Sequence, residues 1–120
     1  MTEESKLLRQ VKKYLKDKKV WCFRVQAQSN LFGLPDIMCL YKGVLIGLEL
    51  KTDIGKATAL QDMKLKEINK NGGIGIIART LADVETLFDY IEYEMAFADN
   101  NADTYGFYDY WIRTGCPHYE

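Results

Sequence analysis

Three side chains in the first half of the chain have types and spacing that suit a hard cation with an ammonium beside it: Asp36, Glu49 and Lys51. They bracket the segment GLPDIMCLYKGVLIGLELKT, residues 33–52, which otherwise has the makings of a buried hairpin. A two-residue turn at Lys42-Gly43 places Tyr41 opposite Val44. Counting back along both strands then brings Asp36 opposite Glu49. Directly opposed Cβ atoms lie about 4.5–5.5 Å apart, so two carboxylates there repel, and burial aggravates the conflict. A divalent cation between them resolves it, and hard oxygen donors suit Mg²⁺, with Mn²⁺ as a substitute. Alternation puts Lys51 and Gly47 on the same face as Glu49, with Leu48 and Leu50 on the other. The missing side chain of Gly47 is expected to leave room for a substrate. A bulge or a three-residue turn would shift the register by one and undo the opposition. Singly, each residue has a plainer reading: Asp36 capping a turn after Pro35, Glu49 and Lys51 an exposed sheet edge. Together on one face, amid a run of aliphatics, they point to a metal pair.

The elements around this hairpin follow from periodicity. Leu7, Leu8, Val11, Tyr14 and Leu15 recur at helical spacing and predict a helix over about 3–18. Trp21, Phe23 and Val25 alternate with Cys22, Arg24 and Gln26, as a strand does. Residues 27–33 read as a loop, and 36–41 and 44–51 as the two hairpin strands. Thr58 is placed to cap a helix running to about Asn71, closed by Gly72-Gly73, and Thr58-x-x-Gln61 has the form of a capping box. IGIIA, 74–78, is a wholly apolar strand of the kind buried on both faces. Val84, Leu87, Phe88, Ile91 and Met95 form the stripe of a last helix opening near Thr80-Leu-Ala-Asp83. The order is α-β-β-β-α-β-α, an α/β domain whose third and fourth strands, joined through a helix, should be parallel. The tail from 99 to 120 carries Tyr105, Phe107, Tyr108, Tyr110 and Trp111, too aromatic for a solvated tail, and is expected to pack on the domain or on a partner subunit.

The chain has 120 residues, enough for one core, and no apolar run approaching the ~20 residues of a membrane span. The first ten residues are charged and amphipathic, unlike a signal peptide. Three cysteines without a CxxC pair argue against a zinc site or a disulfide framework and fit a reducing cytoplasm. The net charge of −1 conceals an asymmetry: residues 1–80 hold 15 of the 16 Lys and Arg but only 8 of the 17 Asp and Glu. A basic body can attract a polyanion, although the lysines of the first helix could equally be its solvated face. His118 is the only histidine, so a Ser-His-Asp triad has little to draw on, and Cys116 with His118 makes no ligand set. No glycine-rich phosphate loop of the P-loop or dinucleotide type is present.

Pro35-Asp36 followed by Glu49-Leu50-Lys51 resembles the PD-(D/E)XK nuclease motif. Gly33-x-Pro35-Asp36, Gly47-x-Glu49-x-Lys51-Thr52, Gly55-Lys56, Gln61 and Gly72-Gly73 narrow the likeness to the VRR-NUC domain, over roughly residues 3–90. That resemblance implies a restriction endonuclease-like core: a mixed sheet of about four strands flanked by helices, residues 1–98, with the C-terminal extension beyond it. It implies a Mg²⁺-dependent DNA endonuclease of a bacterial or phage-infected cytoplasm, acting on branched DNA such as four-way junctions or flaps, as a homodimer without organic cofactor. Asp36, Glu49 and the Leu50 carbonyl would be metal ligands. Lys51 would orient the attacking water and stabilise charge on the phosphate. Glu4 matches an acidic residue near the metal, with Glu3 as an adjacent rival and the helix dipole as another reason for either. Gln61 matches a glutamine beside the catalytic lysine, a role that competes with its cap, since one amide is not expected to serve both fully. Lys56, Gln28, Ser29 and Asn30 are candidate DNA contacts. Two other functions remain open: a non-catalytic nucleic-acid-binding module with a nuclease-like shell, and a sequence-specific restriction-type endonuclease.

Overall fold

A computed structural model describes residues 1–25, 33–52 and 55–97. The elements follow one another as α1 (Glu3–Asp17), β1 (Trp21–Arg24), β2 (Ile37–Tyr41), β3 (Val44–Leu50), α2 (Ala59–Lys70), β4 (Ile74–Ala78) and α3 (Leu81–Phe97). This is the predicted α/β order, and every boundary falls within a residue or two of its expectation. The strands form one mixed sheet in the order β1-β2-β3-β4. β1–β2 and β2–β3 pair antiparallel, whereas β3 and β4 run parallel, as a strand-helix-strand unit requires. Gln28, Ser29, Asn30 and the aromatic extension from 99 lie outside the described residues.

The hairpin register is set at its turn. Lys42 and Gly43 both have positive φ, 50° and 82°, a two-residue geometry whose twist matches that of the flanking strands. Tyr41 therefore pairs with Val44, and the ladder runs back unbroken to Ile37 opposite Leu48. No bulge intervenes, so the next step of the same register puts Asp36 against Glu49.

Alternation divides the sheet into two faces. One carries Ile37, Cys39, Ile46, Leu48, Leu50, Ile74 and Ile76, all buried, against Leu7, Val11 and Leu15 of α1 and Val84, Leu87, Phe88 and Ile91 of α3. Tyr41 ties the sheet to α3: its ring meets Phe88 edge-on at 5.2 Å, and its hydroxyl donates to Glu92 Oε1 at 2.6 Å. Glu92 also accepts an ion pair from Lys18 at 2.8 Å, joining the end of α1 to α3.

The opposite face is covered over β3 and β4 by α2. The helix comes close because Gly47, Gly73 and Gly75 present no side chains: a Cβ on Gly73 would lie 2.8 Å from Ile68 Cγ2, and one on Gly75 3.0 Å from the Leu65 carbonyl oxygen. Buried Asn69 fastens the same contact, its amide donating to the Leu65 and Gly75 carbonyls while its oxygen accepts from Gly75 N–H. The expectation that Gly47 clears a floor for substrate is overturned here. A Cβ at that position would meet Pro35 Cγ at 2.7 Å and Ile68 Cδ1 at 2.8 Å, so the space is already taken by the protein's own packing. Alternation along a strand identifies a face but not what lies on it. Among the described residues, no helix is long and apolar enough to cross a membrane.

Candidate functional site

Asp36 leaves the tight approach to β2 and is anchored at both ends. Its carbonyl accepts from Val25 N–H, continuing the β1 ladder, and its Oδ2 accepts from Leu50 N–H at 2.8 Å. The second bond bridges the hairpin at the level of Glu49 and holds the carboxylate at the end of β3. The approach itself is constrained, because Gly33 has φ 85° and a Cβ there would collide with Leu60 Cγ on α2.

Glu49 lies in the sheet interior and is only 2 % exposed. Its Oε2 accepts from Gln61 Nε2 at 3.0 Å and faces Lys51 Nζ at 3.6 Å. Its Oε1 is buried with no hydrogen-bond partner. An acceptor left bare in the interior is expensive, and such groups call for a specific explanation. Lys51 is held by its backbone, whose N–H donates to the Ala78 carbonyl of β4.

Gln61 resolves the competition anticipated from the sequence. Its Oε1 accepts from Thr58 N–H at 2.9 Å and its backbone N–H donates to Thr58 Oγ1 at 3.1 Å, completing the capping box. Its Nε2 is then free for Glu49. The two ends of one amide serve the cap and the site together, contrary to the expectation that they could not. The cap therefore orients the amide that orients Glu49.

The electrostatics follow from this crowding. Burial, followed by the neighbouring Asp36 carboxylate, pushes Glu49 up to about 7, against the opposing pull of Lys51. Burial also raises Asp36, with Glu4 adding to it, while Leu50 N–H, Lys51 and Arg24 pull the other way. Two buried carboxyl groups are both held above the usual carboxylate range, and Lys51 only partly offsets the cost at Glu49.

An open cleft of about 140 Å³ adjoins Asp36, lined among others by Glu4, Ser5, Arg24, Asp36 and Leu50. The head of α1 is fixed there by Thr2, whose hydroxyl accepts from Ser5 N–H. Glu4 thus shares a cleft with Asp36, whereas Glu3 is engaged in an ion pair with Lys6 at 3.2 Å. Glu4 is exposed, and among the described residues no three His, Cys, Asp or Glu side chains converge as a ligand group. Asp36, Glu49, Lys51 and Gln61 are brought together, and of these Asp36 shares the cleft with Glu4. Lys56 is exposed in the segment leading to α2, apart from this constellation. Arg24 was not anticipated. Alternation assigns it to the face opposite Asp36, yet it lines the same cleft beside the head of α1.

No family model matches the chain, and no curated protein matches it either.

Proposed function

We propose that the protein is a metal-dependent DNA phosphodiesterase, an endonuclease that selects branched or otherwise structured duplex. One observation carries the reading: a fully buried glutamate with a bare Oε1, opposed by a second carboxylate and flanked by one lysine. The donor set fits a hard divalent cation such as Mg²⁺ or Mn²⁺, which is commonly held by one or two carboxylates with water completing its shell. Asp36 and Glu49 would hold it, with the Leu50 carbonyl as a backbone donor. When bound, the cation supplies positive charge to a phosphate oxygen and acidity to a coordinated water.

The chain's own groups have distinct tasks. Leu50 N–H pins Asp36 Oδ2 and Gln61 pins Glu49 Oε2, so the remaining oxygen of each carboxylate is the one presented. Lys51 stabilises charge that develops on the phosphate and orients the attacking water. Arg24 and Glu4 frame the cleft beside Asp36, one able to meet a phosphate and the other a cation. The basic balance of residues 1–80 favours a polyanionic partner.

The test is a panel of branched, flapped, single-stranded and linear DNA, incubated with Mg²⁺, Mn²⁺ or EDTA. Cutting that requires either metal, disappears in Asp36→Ala and leaves DNA binding intact supports the assignment. No cutting with either metal, together with Asp36→Ala binding DNA like wild type, removes it in favour of a binding module. Cutting of linear duplex at a single sequence would instead indicate a restriction-type enzyme. Calorimetric Mn²⁺ binding that weakens in Glu49→Gln checks the metal pair without relying on turnover.

A further inference from the structure

The face of the sheet that carries Asp36 and Glu49 is covered by α2 only over β3 and β4. Over β1 and β2 none of the described helices covers it. Trp21, Leu40 and Leu45 stand side by side across three strands, and Phe23 with Met38 forms the next row. Trp21 is 64 % exposed, Phe23 51 %, Leu40 46 % and Leu45 45 %, and the two aromatic rings meet edge-on at 5.7 Å. Four large apolar side chains in one exposed patch are more than the scattered surface hydrophobes of a soluble domain, and such patches mark contact surfaces.

We infer that this open face is the docking surface for the chain's own C-terminal segment, with Tyr105, Phe107, Tyr108, Tyr110, Trp111 and Ile112 laid against Trp21, Phe23, Leu40 and Leu45. The starting point of that segment favours it. The Tyr41–Glu92–Lys18 contacts hold the last turns of α3 beside the hairpin turn. Leu40 and Leu45 are the pair next to that turn, so the chain leaves α3 at the end of the sheet where the apolar patch begins. Residues 98–104 separate the helix from Tyr105. Fully extended they span roughly 23 Å at about 3.3 Å per residue, enough to pass around the end of a sheet.

Composition and charge agree. The stretch from Tyr105 to Trp111 holds five aromatic residues, an apolar content that suits an exposed apolar face. Asp99, Asp103 and Asp109 would pass Lys19 and Lys42, both exposed at the turn end. Tethering also places the segment at a high effective concentration that a second copy must match by association. The inference does not depend on the phosphodiesterase reading.

The chain has two tryptophans, Trp21 on the face and Trp111 in the segment, so Trp111→Phe leaves Trp21 as the sole tryptophan, read by selective excitation at the red edge of its absorption. In the full-length Trp111→Phe protein, acrylamide should quench Trp21 weakly, to the same extent at low and high protein concentration. Adding Tyr105→Ser, Phe107→Ser, Tyr108→Ser and Tyr110→Ser should raise the quenching constant several-fold while far-ultraviolet dichroism stays unchanged. Leu40→Lys, at an exposed position that the core does not need, should raise it likewise. Trp21 quenched as readily as free N-acetyltryptophanamide in the Trp111→Phe protein overturns the inference. So does protection that survives the serine substitutions, or that appears only as light scattering shows a dimer, since a second copy is then the cover.

Discussion

Replacing Glu49 by glutamine should stabilise the metal-free protein, by an amount that depends on pH in a defined way. Glu49 titrates near 4.5 in an unfolded chain and at about 7 in the fold. Between those values the folded state binds more protons than the unfolded one, so stability falls as pH rises. The stability linked to protonated Glu49 is complete below pH 4.5 and gone above about pH 7. At 1.36 kcal/mol per pH unit the span corresponds to about 3 kcal/mol, a substantial part of the ~5–15 kcal/mol by which domains are stable. Glutamine keeps the shape and an oxygen for Gln61 Nε2 but carries no charge. Urea unfolding in EDTA, at several pH values from below 4.5 to above 7, should therefore show Glu49→Gln gaining on wild type by about 3 kcal/mol across the interval. Comparison with the variant matters because Asp36 is also raised by burial and contributes a slope of the same sign to the wild-type profile. A difference between wild type and variant that stays flat with pH would refute the reasoning, because Glu49 would then not be held as a penalised buried charge. Repeating the series with saturating Mn²⁺ should shrink the variant's advantage at high pH.

Further outcomes are fixed by particular contacts. Asn69→Ala removes three buried hydrogen bonds and strands Gly75 N–H and C=O, so it should destabilise by about 3 kcal/mol in urea unfolding, with secondary structure retained below the transition. Lys42→Asn should stabilise by roughly 0.5–1 kcal/mol, because asparagine tolerates the positive φ of the turn better than lysine does; a Tm no higher than wild type's would contradict that. Val25 N–H bonding to the Asp36 carbonyl fixes the β1–β2 alternation, leaving Cys22 and Cys39 as a non-hydrogen-bonded pair with close side chains. In a Cys116→Ser background, a thiol reagent should label exposed Cys22 in the native protein but reach Cys39 only on unfolding. Cys39 is fully buried and its thiol is pushed up to about 12.

How much of this could be read in the sequence differs from residue to residue. The opposition of Asp36 and Glu49 was legible because a two-residue turn leaves the register no freedom, and the ladder beyond it has no bulge. The Thr58–Gln61 capping box was legible for the same local reason. The second duty of Gln61 was not, because whether an amide's nitrogen reaches a strand depends on how closely α2 lies on the sheet. That closeness is set by three glycines, of which Gly47 was read as an opening rather than a contact. Arg24 escaped notice because alternation gave its face correctly, while its neighbour at the cleft, the head of α1, comes from the far end of the α1–β1 unit. Local geometry travels along the chain, whereas neighbours brought by packing do not.

The turn at Lys42-Gly43 also orders events in time. Hairpins joined by a short loop close in about 1–10 μs, before parallel strands that wait on a connecting helix. Asp36 and Glu49 are thus brought opposite one another while water still screens them, and their repulsion becomes severe only when α2 docks and seals Glu49 from solvent. The penalty belongs to the late side of the folding barrier. Relieving it with Glu49→Gln should slow unfolding more than it speeds folding, so a chevron plot should move mainly on its unfolding arm. A nucleation step that precedes the docking of α2 is indifferent to the charge on this carboxylate pair.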